Sequence, residues 1–300
     1  ISKARKRGEA LYRTASLYLA MQNYEKAVQI YRRFLSEYPN HKFWQDVQRN
    51  LINVSYTRAL AEYNKKNYDN ALKLFSEFVQ AYPIESNVPH SLFLIANIYF
   101  EQKNYEKAIK SFTDLYSRYP YDSYAANGML KAAEISIDKL GKYEEGIEIY
   151  KKIINYPYKS TADAKIKELQ NPHLAMKVKQ QFYSAETPEI EMKLRNTEEV
   201  TLNIYNVNLL DYFYKTHSIR GVENLDILLI RPDKTLTHKV ANYTKYKIFE
   251  IKLNIPVDKP GGYVIQLVTK TQTSTALVLL SDIAAITRSD REETFVYVKN

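Results

Sequence analysis

Apolar residues recur with a helical period along the first half of the chain and with a period of two along the second. In "NYEKAVQIYRRFLSEYP" (Asn23–Pro39) an alanine is followed by large apolar residues four and seven positions on. Those offsets fall on one face of an α-helix. The phrase returns as "NYDNALKLFSEFVQAYP" from Asn67, as "NYEKAIKSFTDLYSRYP" from Asn104, and in a worn form, "KYEEGIEIYKKIINYP", from Lys142. Aligned on Ala27, Ala71, Ala108 and Gly146, the units stand 44, 37 and 38 residues apart. Tyr31, Phe75, Phe112 and Tyr150 occupy the first large position, and Phe34, Phe78, Leu115 and Ile153 the second. Pro39, Pro83, Pro120 and Pro157 close the phrases, as expected of a residue that cannot continue a helix. Ala15, Ala59 and Ala96 precede the anchors by twelve, so a preceding helix can approach closely.

Each unit therefore predicts a helical hairpin with its turn at "QNY", "KNY" or "GKY". A single hairpin cannot cover its own apolar face, so the units are expected to stack into a solenoid. "YKSTADAKIKELQNP" predicts one amphipathic helix before Pro172, expected to cap the last repeat. From Leu174 the period is two. "LAMKVKQQF", "EIEMKLRN", "VTLNIYNVN", "LDILLIRP", "YKIFEIKLNIP", "GGYVIQLVTK" and "TSTALVLLSD" read as seven strands, each with one dry and one wet face. They predict an antiparallel sandwich. "LLDYFYK" (209–215) breaks the alternation and reads as a short helix or an aromatic crossover. The expected organisation is multidomain, all-α followed by all-β: a solenoid with its capping helix over 1–170, a sandwich over 171–283, and over 284–300 the first strand of a further domain. "ETFVYVKN" supplies that last strand, with no partner after it.

Composition narrows the chemistry. No apolar run is long enough to span a bilayer. The opening "ISKARKRGEA" has neither an initiator Met nor the apolar block of a signal peptide, so the chain is expected to begin inside a longer product. With no cysteine, disulfides, thiolate metal sites and a thiol nucleophile are excluded. His41, His90, His173, His217 and His238 show no metal-ligand spacing. The net charge is +9, concentrated in the first 170 residues. Lys and Arg alternate there with Glu and Asp, as on a solvated helix face, so a nucleic-acid partner is not expected. Gly-rich phosphate loops, GxSxG, HExxH and calcium-loop patterns are missing. Asp226, Asp233 and Asp258 stand near strand ends, where carboxylates are ordinarily turn residues. No cofactor, metal or catalytic residue is expected, and the chain reads as non-enzymatic.

The spacing of small residue, aromatic, alanine, aromatic and proline over Gly8–Pro157 resembles the tetratricopeptide repeat. Its flavour, "YxxAxxxYxxFxxxYP", is similar to repeats of bacterial envelope proteins. The resemblance implies a groove lined by the first helix of each hairpin, taking a peptide or protein partner. Carried residue by residue onto this chain, the groove positions are Tyr12 and Ser16, then Asn53, Tyr56, Leu60 and Tyr63, then His90, Phe93, Asn97 and Phe100. Tyr12, Tyr56 and Phe93 share one register. They are expected to form a row of partner anchors, or else to pack on neighbouring repeats or on the chain's own second half. The family's carboxylate clamp needs Lys and Asn where this chain has Tyr12 and Ser16, so a chaperone tail is not the implied ligand.

The second half carries another resemblance. "RNTEEVTLNIYNVNLLDYFYKTH" and "KPGGYVIQLVTKTQTSTALVLLSDIAAITRSDREETFVYVKN" are similar to early domains of bacterial alpha-2-macroglobulin-like proteins. The match spans about His173–Asn300. It implies a macroglobulin-like sandwich near the front of a large envelope or secreted protein, joined to further domains of the same chain. It also implies an extracytoplasmic location, in the periplasm or at the cell surface. The thioester of such proteins needs a cysteine and is not in this chain. The alternative is a docking scaffold subunit of an outer-membrane or envelope complex.

Overall fold

The computed structural model describes residues 3–217, 221–222, 230–289 and 294–299. The chain divides into two compact units, Ile1–Ala164 and Lys165–Asn300. The boundary lies earlier than the pattern change suggests, inside a helix rather than after it.

In the first unit four hairpins follow one another. They are α1 (Lys3–Ala20) with α2 (Tyr24–Glu37), α3 (Trp44–Asn64) with α4 (Tyr68–Ala81), α5 (Val88–Glu101) with α6 (Tyr105–Arg118), and α7 (Ser123–Asp138) with α8 (Tyr143–Lys151). Each hairpin turns through one left-handed residue just before the second helix. These are Gln22 (φ 57), Lys66 (φ 60), Lys103 (φ 60) and Gly141 (φ 67). Only the fourth hairpin uses glycine, which adopts this conformation without a Cβ penalty. Asn23 and Asn104 then cap α2 and α6 by accepting the amides of Lys26 and Lys107.

The repeated phrase is the core. Ala27, Ala71 and Ala108 are fully buried, as are Tyr31, Phe34, Phe75 and Phe112. Val47, Leu51 and Val54 of α3 share one cluster with Val28 and Tyr31 of α2, so successive hairpins bury one another's faces. The expected cap, α9 (Tyr158–Gln170), buries only Ala162. The segment before it closes the fourth hairpin instead. Ile153 is buried, the Tyr116 hydroxyl donates to Asn155 Oδ1 at 2.8 Å, and it accepts the Ile154 amide at 3.0 Å.

The second unit holds β1 (His173–Val178), β2 (Gln181–Phe182), β3 (Glu189–Arg195), β4 (Glu199–Val207), α10 (Leu209–Thr216), β5 (Lys234–Lys239), β6 (Ile248–Asn254), β7 (Gly261–Val268), β8 (Thr273–Leu280), β9 (Ala284–Ser289) and β10 (Thr294–Lys299). A three-stranded sheet has the order β1-β3-β6, and a five-stranded sheet the order β2-β8-β7-β4-β5. Ile190, Met192 and Leu194 from the first meet Leu202, Ile204, Ile265 and Val278 from the second in a shared core.

Several expectations need correction. "LAMKVKQQF" is not one strand: it divides into β1 and β2, in different sheets, and β2 pairs parallel to β8. β5 reads "KTLTHK", too polar to register as a strand; its burial is almost nil along its length, and its pairing with β4 defines it. The C-terminal strand is not alone, because β10 pairs antiparallel with β9, from Ala284 opposite Lys299 to Ser289 opposite Thr294. "LDILLIRP" falls mostly outside the described residues. "LLDYFYK" is the short helix α10. Its Leu209 and Tyr212 pack with Tyr205, Val264 and Leu277 on the far face of the five-stranded sheet. A Cβ at Gly262 would sit 2.4 Å from Leu209 Cδ1, so this glycine admits the helix.

The "RN" at the end of β3 also gains a physical role. Asn196 adopts φ 55, and its Nδ2 donates to the carbonyls of Leu169, Gln170 and Asn171 at 2.7, 3.0 and 3.3 Å. Helix C-termini leave such carbonyls without intrahelical partners. Asn196 Oδ1 accepts the Tyr246 amide at 2.8 Å, and buried Arg195 donates to the Asn171 carbonyl at 3.3 Å.

Candidate interaction face on the first helices

The groove positions read from the sequence all lie on first helices: Tyr12 and Ser16 on α1, Asn53, Tyr56, Leu60 and Tyr63 on α3, His90, Phe93, Asn97 and Phe100 on α5. Their side chains divide into three kinds. Asn53 is exposed; Tyr12, Ser16, Tyr56, Leu60, Tyr63, His90 and Phe100 are half-buried; Phe93 and Asn97 are buried.

The aromatic row joins neighbouring repeats. Tyr12 stacks on Phe43 at 4.9 Å between ring centroids. Tyr56 packs against Phe78 at 5.7 Å and His90 at 6.0 Å, and its hydroxyl meets His90 Nδ1. His90 in turn stacks on Tyr124 of α7 at 4.2 Å. Phe93 touches Tyr124 at 5.7 Å and Phe112 at 5.5 Å. Three successive hairpins are thus linked through Tyr56, His90 and Tyr124. Only Tyr124, 40% exposed, leaves much of its ring open. Tyr63 and Phe100 pack in the same way on Tyr68 and Tyr105, at 5.9 Å each.

Polar groups support this face. Ser16 donates to the Tyr12 carbonyl at 3.0 Å, one turn back. Asn97 is fully engaged: Nδ2 donates to the Phe93 carbonyl at 2.9 Å and Oδ1 accepts from Lys131 Nζ at 2.8 Å. Lys131 also lies 5.0 Å over the Phe93 ring. Burial pulls the Lys131 ammonium below its usual range, with Glu134 and Glu101 acting the other way. Phe100, Lys131, Glu134, Ile135, Asp138 and Lys139 line a cavity of about 180 Å³. Burial raises the Tyr56 and Tyr63 hydroxyls, so both stay neutral donors at ordinary pH. Chemically, the face offers ring surface, an open amide at Asn53 and a mixed-charge margin at Glu134, Asp138 and Lys139.

Sequence reasoning missed Phe43, Tyr124 and Lys131. The last two belong to the fourth hairpin, whose turn is one residue longer: the Lys142 amide reaches back six residues to Ser136, where Asn104 reaches five to Tyr99. Counting twelve back from Gly146 therefore lands on exposed Glu134, while buried Ala133 is the true counterpart of Ala96.

Burial also holds the His90 imidazole below its usual pKa, partly opposed by Asp122. The unfolded chain then binds the extra proton first as the pH falls. The associated stability is complete above about 6.5, the unfolded value, and is lost as the pH drops from there towards the folded pKa. His90→Gln should flatten this loss. Urea midpoints at pH 7.5 and pH 5.0 check it, and equal acid sensitivity in the two proteins would contradict it.

The first unit is a tetratricopeptide-type solenoid, followed by a β region in which the three-stranded and five-stranded sheets share a core and β9 pairs with β10. Residues 9–41 match the family model "Tetratricopeptide repeat", and residues 64–153 match "Anaphase-promoting complex, cyclosome, subunit 3". No curated protein matches the chain. Among solved structures it is similar to MamA from Desulfovibrio magneticus RS-1, at 18% identity over 55% of this chain and 77% of that one, with a TM-score of 0.31. It is also similar to a tetratricopeptide repeat protein from Parabacteroides merdae, at 14% identity over 54% and 60%, with a TM-score of 0.33. Likenesses at these scores carry nothing about function.

Proposed function

We propose that the chain is a non-enzymatic interaction module that holds a peptide or protein segment across its first helices. The observation that carries this reading is the open ring of Tyr124, backed by His90 and Tyr56 in one stack and lying beside the Phe93 wall. Rings held rigid by their neighbours give a partner large contact area at small entropic cost. The buried members, Phe93 and Asn97, set the wall, and the partner meets Asn53, Tyr124 and the half-open rings. Asn53→Arg combined with Tyr124→Ala should reduce partner retention on an affinity column about tenfold or more, a change of about 1.4 kcal/mol upward. Undiminished retention with an intact helical circular-dichroism spectrum would contradict this.

We place the module near the front of a bacterial alpha-2-macroglobulin-like envelope or secreted protein. The support is the pair of sequence patterns around "RNTEEVTLNIY" and "KPGGYVIQLV". In this reading the β region joins the solenoid to further domains, and the location is extracytoplasmic. Peptide mapping of the natural polypeptide tests the context. Continuation past Asn300 into further β domains supports it; a natural end at Asn300 contradicts it.

A further inference from the structure

The cavity between α5 and α7 has the size of a side chain and the charge to select one. At about 180 Å³ it falls below the roughly 300–1,000 Å³ of small-molecule sites. Phe100 and buried Ile135 give it an apolar lining, with Glu134 and Asp138 beside them. Asp138 is the last residue of α7, and Glu101, next to Phe100, is the last of α5. Helix C-termini carry partial negative charge, which favours cations and disfavours carboxylates. Two helix ends and three carboxylates therefore act together where Phe100 lies.

The solenoid's own lysines do not cancel these acids by contact. Lys131 stands three residues before Glu134, the spacing at which Lys142 holds Glu145 at 3.6 Å. Its ammonium turns away instead, to Asn97 Oδ1 at 2.8 Å and over the Phe93 ring at 5.0 Å. Lys139 is exposed and lines the rim. Among the described residues, Glu101, Glu134 and Asp138 form no ion pair, whereas Glu62 is held by Lys65 at 3.0 Å and Glu148 by Lys151 at 2.7 Å. We propose that the cavity receives one arginine side chain of the partner segment; this rests on the partner lying along the first helices. The guanidinium covers the Phe100 ring and takes Glu134 and Asp138, while its stem runs along Ile135. A planar guanidinium both stacks on a ring and pairs with carboxylates through several N–H groups, where an ammonium is one strongly hydrated point.

The probe is the capped peptide Gly-Gly-Arg-Gly-Gly, titrated into the full chain with its isoleucine δ1-methyl groups labelled for NMR. The expected result is a saturable shift of the Ile135 signal, absent when norleucine replaces the arginine. Glu134→Gln with Asp138→Asn removes both charges with little change of shape and should weaken binding about tenfold or more, the scale of a charge-assisted hydrogen bond. Lys139→Ala should tighten it about twofold, because an exposed competing cation is gone. Equal shifts at Ile135 and at Ile154, which is 60% exposed, overturn the proposal. So does unchanged affinity in the Gln/Asn variant. Retention of the natural partner separates this site from the face it belongs to. If Asn53→Arg with Tyr124→Ala lowers retention and Glu134→Gln with Asp138→Asn does not, the face stands and the arginine site falls. Retention unchanged by either pair overturns both. The Ile135 shift together with retention lowered by both pairs supports both.

Discussion

Replacing Phe112 with alanine should destabilise the repeat unit by about 3–5 kcal/mol, the range for emptying a fully buried phenylalanine site. The ring is completely buried, packs on Phe93 at 5.5 Å, and lies so close to α7 that a Cβ at Gly128 would come within 2.8 Å of it. The helices on both sides, α5 and α7, are held against α6 along their length. Because each hairpin contacts only adjacent ones, the loss weakens the coupling between the third and fourth hairpins. Urea denaturation followed by far-ultraviolet circular dichroism measures this. Phe213→Ala is the control: that ring is 44% exposed, and its truncation should change stability by no more than about 0.5 kcal/mol. Similar losses in the two variants would show that the repeated phrase is not the core.

The second large effect runs against intuition. At the anchor position three repeats carry alanine and the fourth carries Gly146. Alanine favours a helix by about 1 kcal/mol over glycine, so Gly146→Ala would restore the repeat's own residue and ought to stabilise α8. The packing says otherwise. A Cβ there would lie 2.4 Å from Ile137 Cγ1 and 2.9 Å from the Ala133 carbonyl oxygen. The carbonyl is backbone and cannot turn away, so α7 and α8 must separate. Overpacking of this kind costs about 1–3 kcal/mol, and Gly146→Ala should be less stable than the parent by about 1–2 kcal/mol once propensity is offset. Ile137→Ala in the same chain should restore part of the propensity gain by removing one of the two clashes. A more stable Gly146→Ala would mean the two helices have room to spare.

These cases show what was legible in the residues. The helical phrase could be read because burial follows a fixed spacing: Tyr31, Phe75, Phe112 and Tyr150 are all buried at the position the repeat assigns them. Hairpin turns were readable for the same reason. Strands β3, β4, β6, β7 and β8 could be read where one face is dry. β5 could not, because its side chains carry no apolar signal and its existence depends on a partner strand. The pairing of β9 with β10 is likewise a matter of register between segments, which no single strand reveals. On the first-helix face the sequence placed each residue on the correct helix. Which rings face outward depends on neighbours from other repeats, so the packing of Phe93 under Tyr124 was out of reach. Tyr124 stands 22 residues before Gly146, N-terminal to every offset at which groove positions were read in the other repeats, so no count from the anchors reached it.

The central claim is that partners are held on the first helices. Site-specific photo-crosslinking in the native source tests it most directly, with p-benzoylphenylalanine placed at exposed Asn53 on α3 and, in a second protein, at exposed Lys110 on α6. The account predicts a discrete adduct from position 53, lost when Tyr124 is changed to alanine, and none from position 110. Equal adducts from both positions, or an adduct from position 110 alone, would contradict it.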